Sequence, residues 1–423
     1  MPDPRTEPRE GRSASVFFIL VTLFLDILGI GIVIPILPQI VDGLVSGDAG
    51  EAAFYYGLIA ASYAFAQFLF APVVGGLSDR FGRRPVILIS LFGAGLSYLV
   101  MAYAPTLTWL LVGRLVSGVM GATITTANAY IADVSTPETR TQNFGLVGVA
   151  FGLGFVIGPA LGGVLGAVAP RLPFFVAAGL VVLNGVYGLL ILPESFRAEQ
   201  RRGFSWRRAN PVASLLRLRR DRVIAVIALA YLLLGLSQRG LETVWVLYTN
   251  YRYGWEALAN GLSLALVGVV AAFVQGFLIR KIVPRLGERR TVLVGLGFAS
   301  LGLLLYALAW QGWIMIAVIA VFPLGGVAAP AMQGLVTGRV SASEQGEMQG
   351  ALSSLLSLSS VLAPLIFATS LFSYFTSDAA PVILPGAPFF VGSLLALTAL
   401  LVLARQFARL PEQQDVSAPE RTA

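Results

Sequence analysis

The sequence predicts an all-α integral membrane protein, with twelve transmembrane helices forming two six-helix bundles in a pseudo-two-fold arrangement. Three observations predict it. Hydrophobic residues make up 57% of the 423-residue chain and charged residues only 12%, about half the charged share of a soluble protein. The apolar residues fall into twelve runs of roughly 20, the length that crosses a bilayer. Finally, the basic residues collect in alternate loops, and the two halves of the chain repeat one another.

The spans begin near residues 15, 53, 85, 107, 142, 171, 222, 256, 290, 313, 345 and 386. The first apolar run, from Ser15 to Ile40, follows Arg5, Arg9 and Arg12. It is too long for the apolar core of a signal peptide and lacks a small-residue cleavage pattern, so it reads as span 1 with its basic end inside. The loops assigned to the inside hold Arg80, Arg83, Arg84, Arg140, the cluster from Arg197 to Arg222, Arg280, Lys281, Arg285, Arg289, Arg290, Arg339, Arg405 and Arg409. Those assigned to the outside hold only Arg171 and Arg252, and Asp42, Asp48 and Glu51 crowd the first of them. This asymmetry orients the chain. An even number of spans puts both termini in the cytoplasm. Trp109, Trp255, Trp310 and Trp313 fall at outer ends, as interfacial aromatics do.

A repeat fixes the organisation. Arg80-Phe-Gly82-Arg-Arg84 returns as Arg285-Leu-Gly287-Glu-Arg289, an offset of 205 residues (285 − 80). Gly145 and Pro159 return as Gly350 and Pro364 at the same offset. Two unrelated anchors sharing one offset indicate a duplicated six-helix unit. The expected domains are a tail (1–14), a bundle (15–193), an inner loop (194–221), a second bundle (222–410) and a tail (411–423). The loop contains Trp206 and Pro211. It reads either as an amphipathic helix on anionic lipid or as a plain positively charged linker.

Composition excludes several classes. The net charge of +7 follows the membrane rule and not a nucleic-acid footprint, because it is spread over alternate loops. With no cysteine, disulfides and thiolate metal sites are excluded. With no histidine, a proton carried near neutral pH must ride on a carboxylate held away from water. There is no P-loop. No metal, cofactor or enzymatic activity is expected.

Charges at helix centres are the strongest local signal, since each costs roughly 2.5–3.5 kcal/mol on the insertion scale. Asp26 lies in the middle of span 1, with no acid or base within a turn to neutralise it and with Pro35 and Pro38 further along. Arg114 lies in span 4. Arg239 and Glu242 lie in span 7, three apart, where they can pair on one face; they read equally as a structural ion pair and as functional groups, Glu242 being a second proton-coupling candidate. Tyr63, Gln67, Thr123, Thr126, Asn128 and Gln275 interrupt apolar helices. They read singly as interhelical hydrogen bonds and together as a polar patch in a substrate cavity. At the inner ends, Gly75, Asp79, Arg80, Gly82, Arg83, Arg84 and Asp133 form a gating group. Asp79 is expected to accept from a helix N-terminus and Arg83 to bridge to Asp133, as a latch between the two halves; the alternative is a set of snorkelling charges. Span 5 carries Gly154-x-x-x-Gly158-Pro159-x-x-Gly162-Gly163, small residues that allow close helix contact.

These strings resemble the major facilitator superfamily over about Phe17 to Leu410. GGLSDRFGRRPVILIS (75–90) resembles its loop between the second and third helices, and the glycine–proline run of span 5 resembles the signature of its antiporters. Within it the chain is most similar to the tetracycline/proton antiporters, through LDILGIGIVIPILP, SDRFGRRPVILISLFGAGLSYL, GRLVSGVMGA, AFGLGFVIGPALGG and TVWVLY followed by Tyr-Arg-Tyr-Gly-Trp255. The resemblance implies substrate and proton handling at Asp26, Gln67, Arg114 and Gln275, and gating at Asp79 and Arg83. It also implies a bacterial inner-membrane location. That group has an acid in helix 3, a histidine in helix 8 and an acid in helix 9, where this chain has Ser97, Ala271 and Ala299. These departures imply altered coupling and a different substrate.

The expected function is proton-coupled efflux of a small amphipathic compound by alternating access. The alternatives are a metal-tetracycline/proton antiporter proper, a proton-coupled importer of a small metabolite, and a non-transporting receptor or scaffold. The partners are a small-molecule substrate, protons and the lipid bilayer, with no nucleic acid, and the chain is expected to be a monomer. One proton moving down roughly 150 mV supplies about 3.4 kcal/mol, enough to sustain a gradient on the order of 300-fold without ATP.

Overall fold

A computed structural model describes residues 9–45, 47–121, 123–195, 218, 221–341 and 344–409, with side chains described from residue 16 and not at residues 137 and 141. Most of the inner loop, with Trp206, Pro211 and all of its arginines, lies outside the described residues. So do most of the N-terminal tail and the whole C-terminal tail. Every regular element among the described residues is helical.

Eleven helical stretches are long and apolar enough to cross a membrane. One of them, Ala257–Leu308, runs for 52 residues. A continuous helix of that length would measure about 78 Å, far more than the roughly 30 Å hydrocarbon core. It breaks at Gly287, where φ is 72° and ψ 163°, and so supplies spans 8 and 9. The chain therefore has twelve spans: Arg9–Val33, Ala49–Phe81, Arg83–Ala102, Leu107–Val134, Pro137–Val168, Leu172–Ile191, Arg222–Tyr253, 257–286, 288–308, Gly312–Thr337, Gln345–Thr376 and Ala387–Ala408.

The turn between spans 2 and 3 has the same backbone. Gly82 has φ 105° and ψ 159°, a region essentially closed to residues with a Cβ. Gly82 and Gly287 are two of the three positive-φ residues among those described, and they stand at the repeat offset of 205. Each lets one span end and the next begin within a single residue. The turn loops of both halves thus share a conformation as well as a sequence.

The chain forms two compact units. The first contains the described residues up to 195, together with 243–269 and 360–385. Its centre is span 1 packed on span 5. A Cβ on Gly158 would lie 2.8 Å from the Gly31 Cα, one on Gly154 would lie 2.9 Å from the Ile27 Cβ, and one on Gly162 would run into the Ile32 carbonyl. Small residues here allow two backbones to touch, so dispersion acts over the whole crossing. Gly163 turns to another neighbour, with a Cβ there 3.0 Å from the Gly261 Cα of span 8. Segment 360–385 of span 11 packs on span 2, where Thr369 Oγ1 donates to the Phe54 carbonyl (3.3 Å). Spans 1 and 6 are pinned by Thr22 Oγ1 donating to Asn184 Oδ1 (3.3 Å), with both groups buried.

Caps explain where several spans start and stop. Asp48 opens span 2 by accepting from the Glu51 N–H (2.8 Å). Thr136 and Thr139 form a capping box at the start of span 5. Arg171, one of the two arginines expected outside, donates to the carbonyls of Ala102 and Ala104 (2.9 and 3.0 Å). It supplies donors to carbonyls at the buried C-terminal end of span 3.

The second unit contains the described residues of 212–242, 270–359 and 386–409. Ile227, Tyr231, Val292, Leu296, Met332 and Leu403 lie in its core. Span 9 lies close on span 10 through Gly295 against Ala328 and Gly302 against Phe322. It joins span 12 through the Ser300 and Ser393 hydroxyls, 3.1 Å apart. Spans 8, 10 and 11 leave α-helical geometry at Val274–Leu278, Phe322–Val327 and Pro364–Phe372 respectively. Pro364 opens the last of these, whereas its repeat counterpart Pro159 sits inside a continuous helix.

Candidate functional site

Asp26 and Arg114 are both 9% exposed. Neither makes an ion pair among the described residues, and the Nε of Arg114 has no hydrogen-bond partner. Leaving two opposite charges buried and unpaired is expensive, so the surroundings show what holds them. The Arg114 guanidinium lies over the Tyr63 ring, 5.4 Å from its centroid, a contact that offsets part of its desolvation. Tyr63 and Tyr98 are each within electrostatic reach of both Asp26 and Arg114. Tyr98 also packs at Gly29, one turn beyond Asp26. Gln67 donates to the Gly121 carbonyl (3.3 Å) and to Tyr63 Oη (3.5 Å). Gly121 ends the first helix of span 4 (Leu107–Met120), so its carbonyl is free of the helical ladder and open to a side chain. Spans 1, 2, 3 and 4 thus bring Asp26, Tyr63, Gln67, Tyr98 and Arg114 into one neighbourhood.

Asn128 and Thr126 stand further along span 4, with Oδ1 and Oγ1 buried and unpartnered. Thr123 begins the second helix of span 4, and its Oγ1 donates to the Met120 carbonyl that ends the first (2.7 Å). Tyr98 was missed by sequence reasoning, because one aromatic among many carries no signal of its own.

The gating group assembles around Arg83, which is 7% exposed. Its guanidinium donates to Asp79 (2.5 Å), Ser78 Oγ (2.6 Å) and Asp133 (3.2 Å). One expectation needs correction. The acceptor at the N-terminus of span 3 is not Asp79 but Glu194, whose carboxylate takes the N–H groups of Arg83 (2.8 Å) and Arg84 (3.3 Å). Asp79 instead takes the Arg83 guanidinium. Asp79, Arg83, Asp133 and Glu194 all belong to the first unit, where the cluster ties spans 2, 3, 4 and 6 together. Ser195 completes it by donating to Asp133 (3.3 Å), and Tyr130 by donating to the Pro193 carbonyl (3.1 Å).

Arg84 donates to the Leu189 carbonyl (2.8 Å), Arg80 stacks on its neighbour Phe81 at 5.1 Å, and Gly75 accepts from Ser78 (2.7 Å). Pro193 and Glu194 follow directly on span 6 in the sequence. Their signal was an acid set at the edge of a basic loop.

In the second unit Arg239 and Glu242 form the expected ion pair at 2.6 Å, with side chains 43% and 35% exposed. Gln238 donates to the other Glu242 oxygen (3.3 Å). Tyr231 accepts from Gln333 of span 10 (2.7 Å) and lies within electrostatic reach of Arg239. Gln275 stands exposed on the π-helical turn of span 8.

The three departures are packed as apolar or self-satisfied positions. Ser97 is buried and donates back to the Ala94 carbonyl (2.7 Å). Ala299 is buried against span 10, its Cβ 2.8 Å from where a Cβ on Gly325 would lie. Ala271 is half-buried on span 8. Among the described residues no group of three or more carboxylates could hold a metal ion.

Comparison with known proteins agrees with this architecture. The model of the Major Facilitator Superfamily matches residues 19–364. The chain is 39% identical to the class C tetracycline resistance protein of Escherichia coli, over 92% of this chain and 96% of that one. It is 38% identical to the class G protein of Vibrio anguillarum, over 94% and 98% respectively. Among solved structures, a bacterial homologue of the human lysosomal transporter Spinster shares the fold, with a TM-score of 0.76, 15% identity and coverage of 96% and 98%. The chain belongs to the Major Facilitator Superfamily and, within it, to the family of the tetracycline resistance proteins.

Proposed function

We propose that this protein exports a small amphipathic compound across the inner membrane in exchange for protons, by alternating access. The observation that carries this reading is the pair of buried, unpaired charges, Asp26 and Arg114, framed by Tyr63, Gln67 and Tyr98. Such charges are costly inside a membrane and mark substrate and ion pathways. Asp26 is the proton carrier, because no histidine competes for that role. Arg114 favours the ionised carboxylate and an anionic part of the substrate in turn. Tyr63, Gln67, Asn128 and Gln275 line the substrate path.

The chain works as a monomer with both termini in the cytoplasm. Its two repeats, 15–193 and 222–410, rock about the substrate site. The Asp79–Arg83–Asp133 cluster gates this motion, and the glycines of span 5 keep spans 1 and 5 in close register while it happens. The test is uptake of a compound panel into everted vesicles, with and without a pH gradient. Accumulation that collapses with the gradient supports antiport, and accumulation indifferent to it contradicts antiport.

The names of the relatives favour a second, narrower reading in which the cargo is tetracycline as its metal chelate. The neutral and apolar side chains at Ser97, Ala271 and Ala299 oppose it, because a chelate's cation needs carboxylates. Susceptibility in a pump-deficient host separates the two. A large, magnesium-dependent rise in tetracycline resistance supports the narrower reading, whereas resistance to other amphipathic compounds alone supports the broader one.

A further inference from the structure

The ion pair of span 7 is left over by the proton and substrate chemistry placed at Asp26 and Arg114. Its surroundings are unusual for a membrane helix. Between Leu234 and Thr249 the residues keeping accessible surface are Gln238, Arg239, Glu242, Thr243 and Leu247, and the rest of this stretch is buried in protein. Four of those five are polar. Arg239 and Glu242 lie in the middle third of Arg222–Tyr253, a helix of about 48 Å, so both fall within the roughly 30 Å hydrocarbon layer. A half-exposed ion pair at that depth cannot face hydrocarbon. The open stripe therefore faces a polar, water-filled space. Tyr231, Gln238 and Glu242 lie on one face at i, i+7 and i+11. Gln333 reaches the same face from span 10 through its 2.7 Å bond to Tyr231.

We infer that Arg239 and Glu242 form a subsite for zwitterionic amphipathic compounds, in which the substrate's anion takes Arg239, its cation takes Glu242, and the internal ion pair opens to admit both. This deepens the export reading and rests on it for the path that delivers the compound. At rest each charge satisfies the other, and Gln238 holds the second Glu242 oxygen. A zwitterion replaces one ion pair with two. A compound with one charge opens the Arg239–Glu242 pair and replaces it for one member alone, a loss that a zwitterion does not incur. A compound with no charge gains nothing from opening the pair. Selectivity thus comes from the cost of incomplete replacement, and it favours the doubly charged form over both singly charged ones.

The test uses the purified full chain in nanodiscs and four forms of one fluorescent aromatic amino acid: free, methyl ester, N-acetyl, and blocked at both ends. Binding is read by anisotropy. The free form is expected to bind at least tenfold more tightly than either singly blocked form. In Arg239→Gln/Glu242→Gln that preference is expected to disappear, and in the charge-swapped Arg239→Glu/Glu242→Arg it is expected to return at least in part. Equal affinities of the wild type for the four forms would overturn the inference, as would an undiminished preference in the doubly neutral variant. If the double variant fails to fold, Arg239→Gln and Glu242→Gln singly take its place: each is expected to lose the preference, and an undiminished preference in both would overturn the inference. Vesicle uptake of the fully blocked form separately reports on the export reading, so a failure of the subsite is distinguishable from a failure of transport.

Discussion

A single carboxylate, Glu194, shows how much one residue organises here. It receives two backbone N–H groups at the start of span 3 from a position 111 residues away in sequence. It therefore joins the end of span 6 to the turn that carries Arg83. Side-chain acceptors at helix N-termini contribute about 1 kcal/mol. Glu194→Ala should lower the thermal unfolding midpoint in a membrane mimetic by an amount corresponding to about 1 kcal/mol, and Glu194→Gln, which keeps an acceptor without the charge, should fall between variant and parent. Asp26, Arg114, Arg83 and Asp133 were legible in the sequence because a charge inside or beside an apolar run is conspicuous whatever it touches. Glu194 and Tyr98 were not, because their roles lie in contacts across long sequence separations. A carboxylate in a loop and a tyrosine in a helix look ordinary until the fold brings their partners to them.

At the scale of elements, the two turns at Gly82 and Gly287 make the repeat physical. Both adopt a conformation that costs residues with a Cβ on the order of 1–3 kcal/mol. Gly82→Ala and Gly287→Ala should each lower the unfolding midpoint, by similar amounts, and slow transport. Gly145→Ala is the control: its position is helical with nothing within 4 Å, so it should be neutral or stabilising by up to about 1 kcal/mol. Equal behaviour of all three variants would remove the turns from the account. The positions of the spans were legible from length and hydropathy alone, because a bilayer imposes one length on every crossing. The departures from α-helical geometry at Val274–Leu278 and Pro364–Phe372 were not. Proline marks only the second of them, and the first depends on packing that leaves no trace in periodicity.

For the molecule as a whole, the fold followed from the loop charges and the repeat, while the two compact units did not. Packing assigns 243–269 and 360–385 to the unit built on the N-terminal spans, a partition that no sequence pattern marks. The proposed gating role of Asp79, Arg83 and Asp133 makes a prediction at this scale. Asp79→Ala should slow turnover and shift the distance distribution between spin labels at Phe81 and Leu286, both exposed, with little change in substrate affinity. Identical distributions in variant and parent would leave the cluster as a static brace.

The central claim is that the exchanged proton rides on Asp26, and the most direct measurement is proton release on substrate binding. Purified full chain in weak buffer is mixed with a transported compound while a pH indicator is followed, in parallel for the parent and for Asp26→Asn. The account predicts release from the parent, none from the variant, and retained substrate binding by both. Equal proton release from the two proteins would contradict it.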